Sequence, residues 1–274
     1  MPTERATSVK VRPGLDAGLL ILRGAGLFLL LTFGWQKLWG YIQLAITGGP
    51  WDSLELAPLI RSMGFPAPVL LGIYAMLCES VGALLISCGF LTRWMAILAA
   101  LSMAGAFYTS LRLQEDPLRA ALYLCSFTTV AVAGPGRFSL DYYLQLRAVK
   151  KSSADANPDA GLLALRLCLG TIFVLLFALK QSEAGTIFPF HPGRVWPIVI
   201  LALGAALVTA GLRTRLIAAG MALGWAWALG TGLYLGQPYY IFPVRSFLFA
   251  TVFASLALTG AGRFSVDGIL KSRR

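Results

Sequence analysis

The sequence predicts an all-α integral membrane protein with eight transmembrane helices, built as two parallel-oriented four-helix repeats with both termini in the cytoplasm. Three observations predict it. Of 274 residues, 57% are hydrophobic and only 13% charged, whereas soluble domains carry about a quarter charged residues. The apolar runs have the length, roughly 20 residues, that crosses a hydrocarbon core of about 30 Å. Finally, a series of short motifs in the first half recurs in the same order in the second. A β-barrel is excluded by pattern, since its strands alternate apolar and polar residues and the stretch from Leu70 to Leu91 is apolar throughout except at Glu79, Ser80 and Ser87.

Hydrophobic patterning places helices at 16–38, 67–90, 93–112, 118–135, 160–180, 195–212, 214–234 and 243–261. The first follows a basic stretch, as a signal peptide would. It is too long for one and lacks a small-x-small cleavage pattern before Trp35 and Trp39, so it is expected to be retained. A long outer loop, 40–66, follows, with Trp51, Asp52, Glu55 and an amphipathic segment from Leu54 to Met63. Its counterpart in the second half, Gln181 to Arg194, is shorter. Trp35, Trp39, Trp196, Tyr239 and Tyr240 are expected to form an aromatic belt at the outer interface. A linker at 148–158, rich in Lys, Ser, Ala and Asp, separates a first unit, 1–147, from a second, 159–274.

The net charge of +11 orients such a chain and is not read as a nucleic-acid surface. Arg5, Lys10, Arg12, Arg93, Arg137, Arg147, Lys150, Lys151, Arg215, Arg263, Lys271, Arg273 and Arg274 fall on the side of the termini, whereas the other side has chiefly Arg61, Arg112, Arg119, Arg194 and Arg245. The positive-inside rule therefore puts both termini in the cytoplasm, with Arg93, Arg137, Arg215 and Arg263 as topology-setting charges.

The repeat is explicit. Asp16-Ala-Gly-Leu-Leu-Ile-Leu-Arg23 returns as Asp159-Ala-Gly-Leu-Leu-Ala-Leu-Arg166, with Lys37 and Lys180 at the same interval beyond. Gly89-Phe-Leu-Thr-Arg93 returns as Gly211-Leu-Arg-Thr-Arg215, and Pro117-Leu-Arg119 as Pro243-Val-Arg245. Gly134-Pro-Gly-Arg-Phe-Ser-Leu-Asp141 returns as Gly260-Ala-Gly-Arg-Phe-Ser-Val-Asp267. Units with an even number of spans enter the membrane the same way, hence the parallel arrangement. The Gly-x-Gly-Arg-Phe-Ser-x-Asp motif reads as a helix stop, a cytoplasmic arginine, an interfacial Phe, and Ser or Asp starting the next helix.

An ionisable residue inside a span costs about 2.5–3.5 kcal/mol on insertion scales, so each one invites a functional reading. Glu79 is the candidate acid–base group, on a helix face made of Gly72, Ala75, Gly82 and Ala83 that admits close packing. Arg23, Gly34 and Lys37 share a face of the first helix by their spacing. Arg23 is the expected ion partner of Glu79, and Lys37 is expected to snorkel at the outer surface. Two readings stand side by side: a polar cavity lined by Arg23, Lys37 or Tyr108, or a structural ion pair that fixes helix register. In the second copy Leu201 replaces the carboxylate while Arg166 and Lys180 remain, so any such site is single. Cys78, Cys88, Cys125 and Cys168 form no C-x-x-C pair and read as small buried hydrophobes. The single His191, in an outer loop, leaves no metal site, whether haem, zinc or iron–sulfur, and no nucleotide fingerprint is present.

Taken together, the Leu-Arg-x-Gly start, Gly34-Trp-Gln-Lys37, Glu79-Ser-Val-Gly82, Gly89-Phe-Leu-Thr-Arg93 and the closing Gly-Pro-Gly-Arg-Phe-Ser-Leu-Asp resemble the DoxX family over residues 16–141, with 159–267 as a diverged second copy. The family is built of four-helix membrane units, and relatives include the DoxD-type small subunit of a thiosulfate:quinone oxidoreductase. The resemblance implies a subunit of a respiratory or sulfur-oxidising complex in a bacterial-type plasma (inner) membrane. There Glu79 would handle a proton or hydrogen-bond a quinone, and partner subunits would carry the electron-transfer cofactors. Alternatives are a non-enzymatic scaffold or accessory protein, and a small-solute transporter, for which the helices lack the expected paired Gly/Pro breaks.

Overall fold

A computed structural model describes residues 13–53, 56–113, 115–144, 157–180, 196–235 and 242–272, without the side chains of 13, 53, 175–180, 196–201, 242, 271 and 272. All its elements are helical. They are α1 (Pro13–Leu29), a π-turn (Leu30–Gly34), α2 (Trp35–Thr47), a 3-10 turn (Trp51–Ser53), α3 (Leu56–Ser62), α4 (Pro68–Leu77), a second π-turn (Cys78–Gly82), α5 (Ala83–Cys88), α6 (Thr92–Arg112), α7 (Leu118–Ala133), α8 (Leu140–Leu144), α9 (Pro158–Lys180), α10 (Trp196–Ala210), α11 (Thr214–Tyr234), α12 (Phe242–Thr259) and α13 (Val266–Ser272).

Among the described residues, four helical rods are long and apolar enough to cross a membrane: Gly14–Thr47, Pro68–Cys88, Thr92–Arg112 and Thr214–Tyr234. Leu118–Ala133 and Pro243–Thr259 are shorter apolar helices. Large apolar side chains such as Trp94, Leu101, Leu216, Leu223 and Trp227 stand outward and exposed, which suits a lipid surround.

The packing exchanges partners between the copies. α1 lies along α12, the last long helix of the second copy, and α9 lies along α7, the last of the first. Glycines make both contacts possible. A Cβ at Gly14 would come within 2.5 Å of the Leu258 carbonyl oxygen, one at Gly18 would strike Thr259, and one at Gly161 would reach the Ala133 backbone at 2.9 Å. Around this central quartet the apolar core includes Leu22, Leu29, Phe127, Leu165, Phe249 and Phe253, with Trp225 stacked on Phe249 at 4.4 Å.

Both copies close one face of the bundle, here the turn face, with the same clasp. Arg23, 2% exposed, donates from Nη1 to the Pro135 carbonyl at 2.9 Å and from Nη2 to that of Phe138 at 2.5 Å. Arg166 likewise donates to the Phe264 carbonyl. Asp16 Oδ1 accepts the Arg137 N–H at 2.8 Å, and Asp159 Oδ1 that of Arg263 at 3.0 Å. Asp141 accepts the N–H groups of Leu91 and Thr92 at 2.7 and 2.9 Å, and Asp267 those of Arg213 and Thr214 at 3.0 and 3.3 Å. The motif aspartate therefore caps the N-terminus of α6 or α11, not the short helix that contains it, while Ser139 Oγ accepts the Tyr142 N–H of that short helix at 3.2 Å. That the first turns of α1 and α9 lie on one face follows from Gly14 against Leu258 and from the Asn157 N–H bonded to the Val132 carbonyl at 3.2 Å.

The first rod differs from expectation. It runs to Thr47, past the predicted end at 38, and with the 3-10 turn and α3 about two-thirds of the expected 40–66 loop is helical. A helix-interior glycine costs only about 1 kcal/mol, and Gly40 is absorbed. The true stop is Gly48, in the left-handed region at φ 71°. Thirty-four residues rise about 51 Å, well beyond a ~30 Å hydrocarbon core. Cys88 also departs from the buried reading and is exposed, whereas Cys78 and Cys125 are buried. Glu55, the Gln181–Arg194 segment, His191, Tyr239, Tyr240 and most of the 148–158 linker, with the terminal basic residues, lie outside the described residues, as do the side chains of Lys180, Trp196 and Leu201.

Gly89 is required twice over, by φ 76° and because a Cβ there would come within 2.6 Å of Arg23 Nη1 and the Ser139 Cβ. Next to it Leu91 sits at φ 48°, a conformation that costs a branched side chain about 1–2 kcal/mol. Gly89→Ala is expected to lower stability by at least ~2 kcal/mol, and Leu91→Gly to leave it unchanged or raise it by up to ~1 kcal/mol. Thermal unfolding followed by circular dichroism in a mild detergent measures both.

Candidate functional site

The two π-turns face each other. Each contains a hydroxyl that bonds back to the carbonyl four residues earlier, Thr32 Oγ1 to Phe28 at 2.7 Å and Ser80 Oγ to Met76 at 2.6 Å. Each ends in glycine, Gly34 or Gly82. Such hydroxyls loosen the i→i−4 ladder, and the glycines add backbone freedom. A Cβ at Gly34 would strike the Glu79 backbone carbonyl, so only glycine lets the turns touch. π-Turns of this kind recur at functional sites.

This contact sets Glu79 against Lys37. Glu79 Oε2 accepts from Lys37 Nζ at 2.5 Å. The carboxylate side chain is 7% exposed and the lysine 25%, so the pair is enclosed on the acid's side and open on the amine's. The expected Glu79–Arg23 pairing is corrected on both counts: Lys37 is the ion partner, and Arg23 is committed to the turn carbonyls. Depth explains this. Arg23 lies level with Gly89, ten residues and about 15 Å along the helix from Glu79. Lys37 is not at the end of the rod either, because the rod continues to Thr47. The π-turn between positions 23 and 37 also adds a residue to the winding and rotates Lys37 away from the Arg23 face.

Tyr108 is not brought to the pair. It is exposed on α6, edge-on to Phe65 at 5.8 Å and accepting from Arg112 Nε at 3.0 Å. A different phenol is near. Tyr41 sits one helical turn beyond Lys37, is 6% exposed, and its hydroxyl is buried with no hydrogen-bond partner among the described residues. It lies over Gly72, two turns from Glu79, where a Cβ would be 2.8 Å from its oxygen. The i, i+4 interval from Lys37 was the available signal, but it fell within the predicted loop.

Elsewhere Arg93 Nε donates to the Ala131 carbonyl at 2.9 Å. Arg137, at the turn face, shares a hydrogen bond with Tyr142 that pushes its guanidinium pKa upward. Arg215 and Arg263 are exposed at the same face. At the opposite face Asp116 meets Arg245 Nε at 2.5 Å and Arg119 Nε at 4.0 Å, the first an ion contact without hydrogen-bond angles. The repeat-related arginines thus share one carboxylate.

Lys37→Met strands a buried carboxylate and is expected to cost about 3–5 kcal/mol. Lys37→Met combined with Glu79→Leu removes both charges and is expected to recover most of that loss; thermal unfolding of the three proteins in detergent measures the coupling.

Residues 18–111 match the family model DoxX. Neither curated proteins nor solved structures give a match to the chain.

Proposed function

Taking the DoxX domain at residues 18–111 as premise, we propose that this protein is a membrane-embedded subunit of a respiratory or sulfur-oxidising redox complex that meets a lipid-soluble quinone. The supporting observation is the Lys37–Glu79 pair at the contact of two π-turns, with the nearby Tyr41 hydroxyl unpartnered among the described residues. The groups suit a ring bearing two carbonyls: Lys37 and Tyr41 donate hydrogen bonds, and Glu79 accepts one or holds a proton. A bound quinone would supply two-electron, two-proton chemistry. Lys37 would orient it at one carbonyl oxygen, Tyr41 would hold a proton for the other, and Glu79 would take up or release a proton on the Lys37 side, where the pair is open. Electrons would come from cofactors of partner subunits.

In the same reading the chain crosses a bacterial-type inner membrane eight times, with the turn face and both termini in the cytoplasm. Arg93, Arg137, Arg213, Arg215 and Arg263 cluster at that face.

A second reading is supported by the near-complete enclosure of Glu79: a non-enzymatic scaffold in which the pair only locks α2 against α4 and α5. A small-solute transporter is a third. The two described π-turns leave their rods unbroken, and both lie in the first copy.

Two experiments decide. Protein purified in a mild detergent is expected to retain a quinone and a cofactor-bearing partner, and Glu79→Gln is expected to weaken binding of a short-chain benzoquinone, read by tryptophan fluorescence, about tenfold or more. Unchanged affinity, with no quinone in the extract, would leave the scaffold. Green-fluorescent fusions at both termini are expected to fluoresce; a dark fusion at either end would refute the eight-span topology.

A further inference from the structure

We propose that the turn face of the second copy holds a binding site for a phosphate-type oxyanion, a site the first copy lacks. A cavity of about 450 Å³ opens there, lined in part by Arg213, Arg215, Thr259, Gly260 and Gly268. That volume lies within the ordinary range of ligand pockets. Arg213 and Arg215 are exposed, and their guanidinium groups form no hydrogen bond or ion pair among the described residues. Arg215 lies across the Gly260 turn, where a Cβ would stand 3.0 Å from its Nε. The one carboxylate in the wall, Asp267, is already engaged by the N–H groups of Arg213 and Thr214. The excess charge facing the cavity is therefore cationic, and guanidinium forks suit phosphate oxygens.

The repeat provides an internal control, because every motif position has a counterpart in the same clasp. Where the second copy has Arg213, the first has Leu91; where it has Leu216, Thr259, Ala261 and Gly268, the first has Trp94, Ala133, Pro135 and Tyr142. Each exchange removes bulk or adds a polar group. The arginine common to both is used differently, since Arg93 is bonded to the Ala131 carbonyl while Arg215 faces the cavity. The clasp needs neither Arg213 nor the smaller Leu216 and Gly268, because the first copy builds it with Leu91, Trp94 and Tyr142 in their places. Those features therefore require another cause, and a ligand bearing oxyanion charge is the one their chemistry fits. The same phosphate chemistry occurs in an anionic lipid headgroup at the membrane surface and in a dissolved phosphate.

The test compares the wild-type chain with Arg213→Leu, which restores the first-copy residue, and with Arg213→Leu combined with Arg215→Gln. Arg137→Gln combined with Arg263→Gln removes as much charge from the same face without touching the cavity lining. Thermal unfolding midpoints of purified protein are measured with added inorganic phosphate, and binding is measured to vesicles of phosphatidylglycerol or phosphatidylcholine. Circular dichroism verifies that each variant is folded. The lining double variant is expected to lose about tenfold or more in affinity, the single variant part of that, and the control pair less than threefold. A response to inorganic phosphate identifies a dissolved ligand, and a response to phosphatidylglycerol alone identifies a lipid headgroup. Equal losses in lining and control variants would reduce the effect to general surface charge and overturn the proposal, as would a folded Arg213→Leu, Arg215→Gln protein that binds like wild type.

Discussion

A guanidinium buried in a helical bundle must find oxygen acceptors or destabilise the helix that carries it. In this protein Arg23 and Arg166 find theirs in the carbonyls of the Gly-x-Gly-Arg-Phe turns, more than ninety residues away in the chain. Much else is arranged around that need. The glycines at 89 and 211 keep the space above the guanidinium free of a side chain. The aspartates at 16 and 159 hold the same turns from the other side, and Asp141 and Asp267 tie them to the starts of α6 and α11. Four segments of each copy meet at one polar knot, so the motifs that recur in the sequence are the parts of that knot.

The helices were legible because lipid allows few alternatives: a backbone in hydrocarbon must bond to itself, and apolar runs bounded by arginine, glycine or proline mark where each rod starts and stops. The ends of the Pro68–Cys88 rod and of α6, α7 and α11 fall within two residues of expectation. Gly40 misled because a span of standard length seemed complete before it, and glycine looks like a stop whether or not the chain uses it as one. The role of Asp141 was also hidden. Its local position says helix start, but the N–H groups it serves belong to α6, about fifty residues earlier, and such a bond has no local signature.

Glu79 was legible as a buried acid; its partner was not. Helical arithmetic assumes a constant 3.6 residues per turn, and the π-turn at Leu30–Gly34 breaks that assumption between the two candidate cations. The same turn brings Gly34 onto the Glu79 backbone. A departure from regular winding therefore both spoiled the inference and created the site. Tyr41 was missed for a related reason: one misplaced helix end moved it from a packed face into a presumed loop.

The exchanged packing of α1 with α12 and of α9 with α7 bears on how the chain is assembled. A ribosome releases α1 first, but the helix that fits the notches at Gly14 and Gly18 is some 240 residues behind it. Until that helix arrives, the leading rod carries a docking surface without its mate. The contact of α1 with α12 is thus long-range, and it joins the two copies into one packed body.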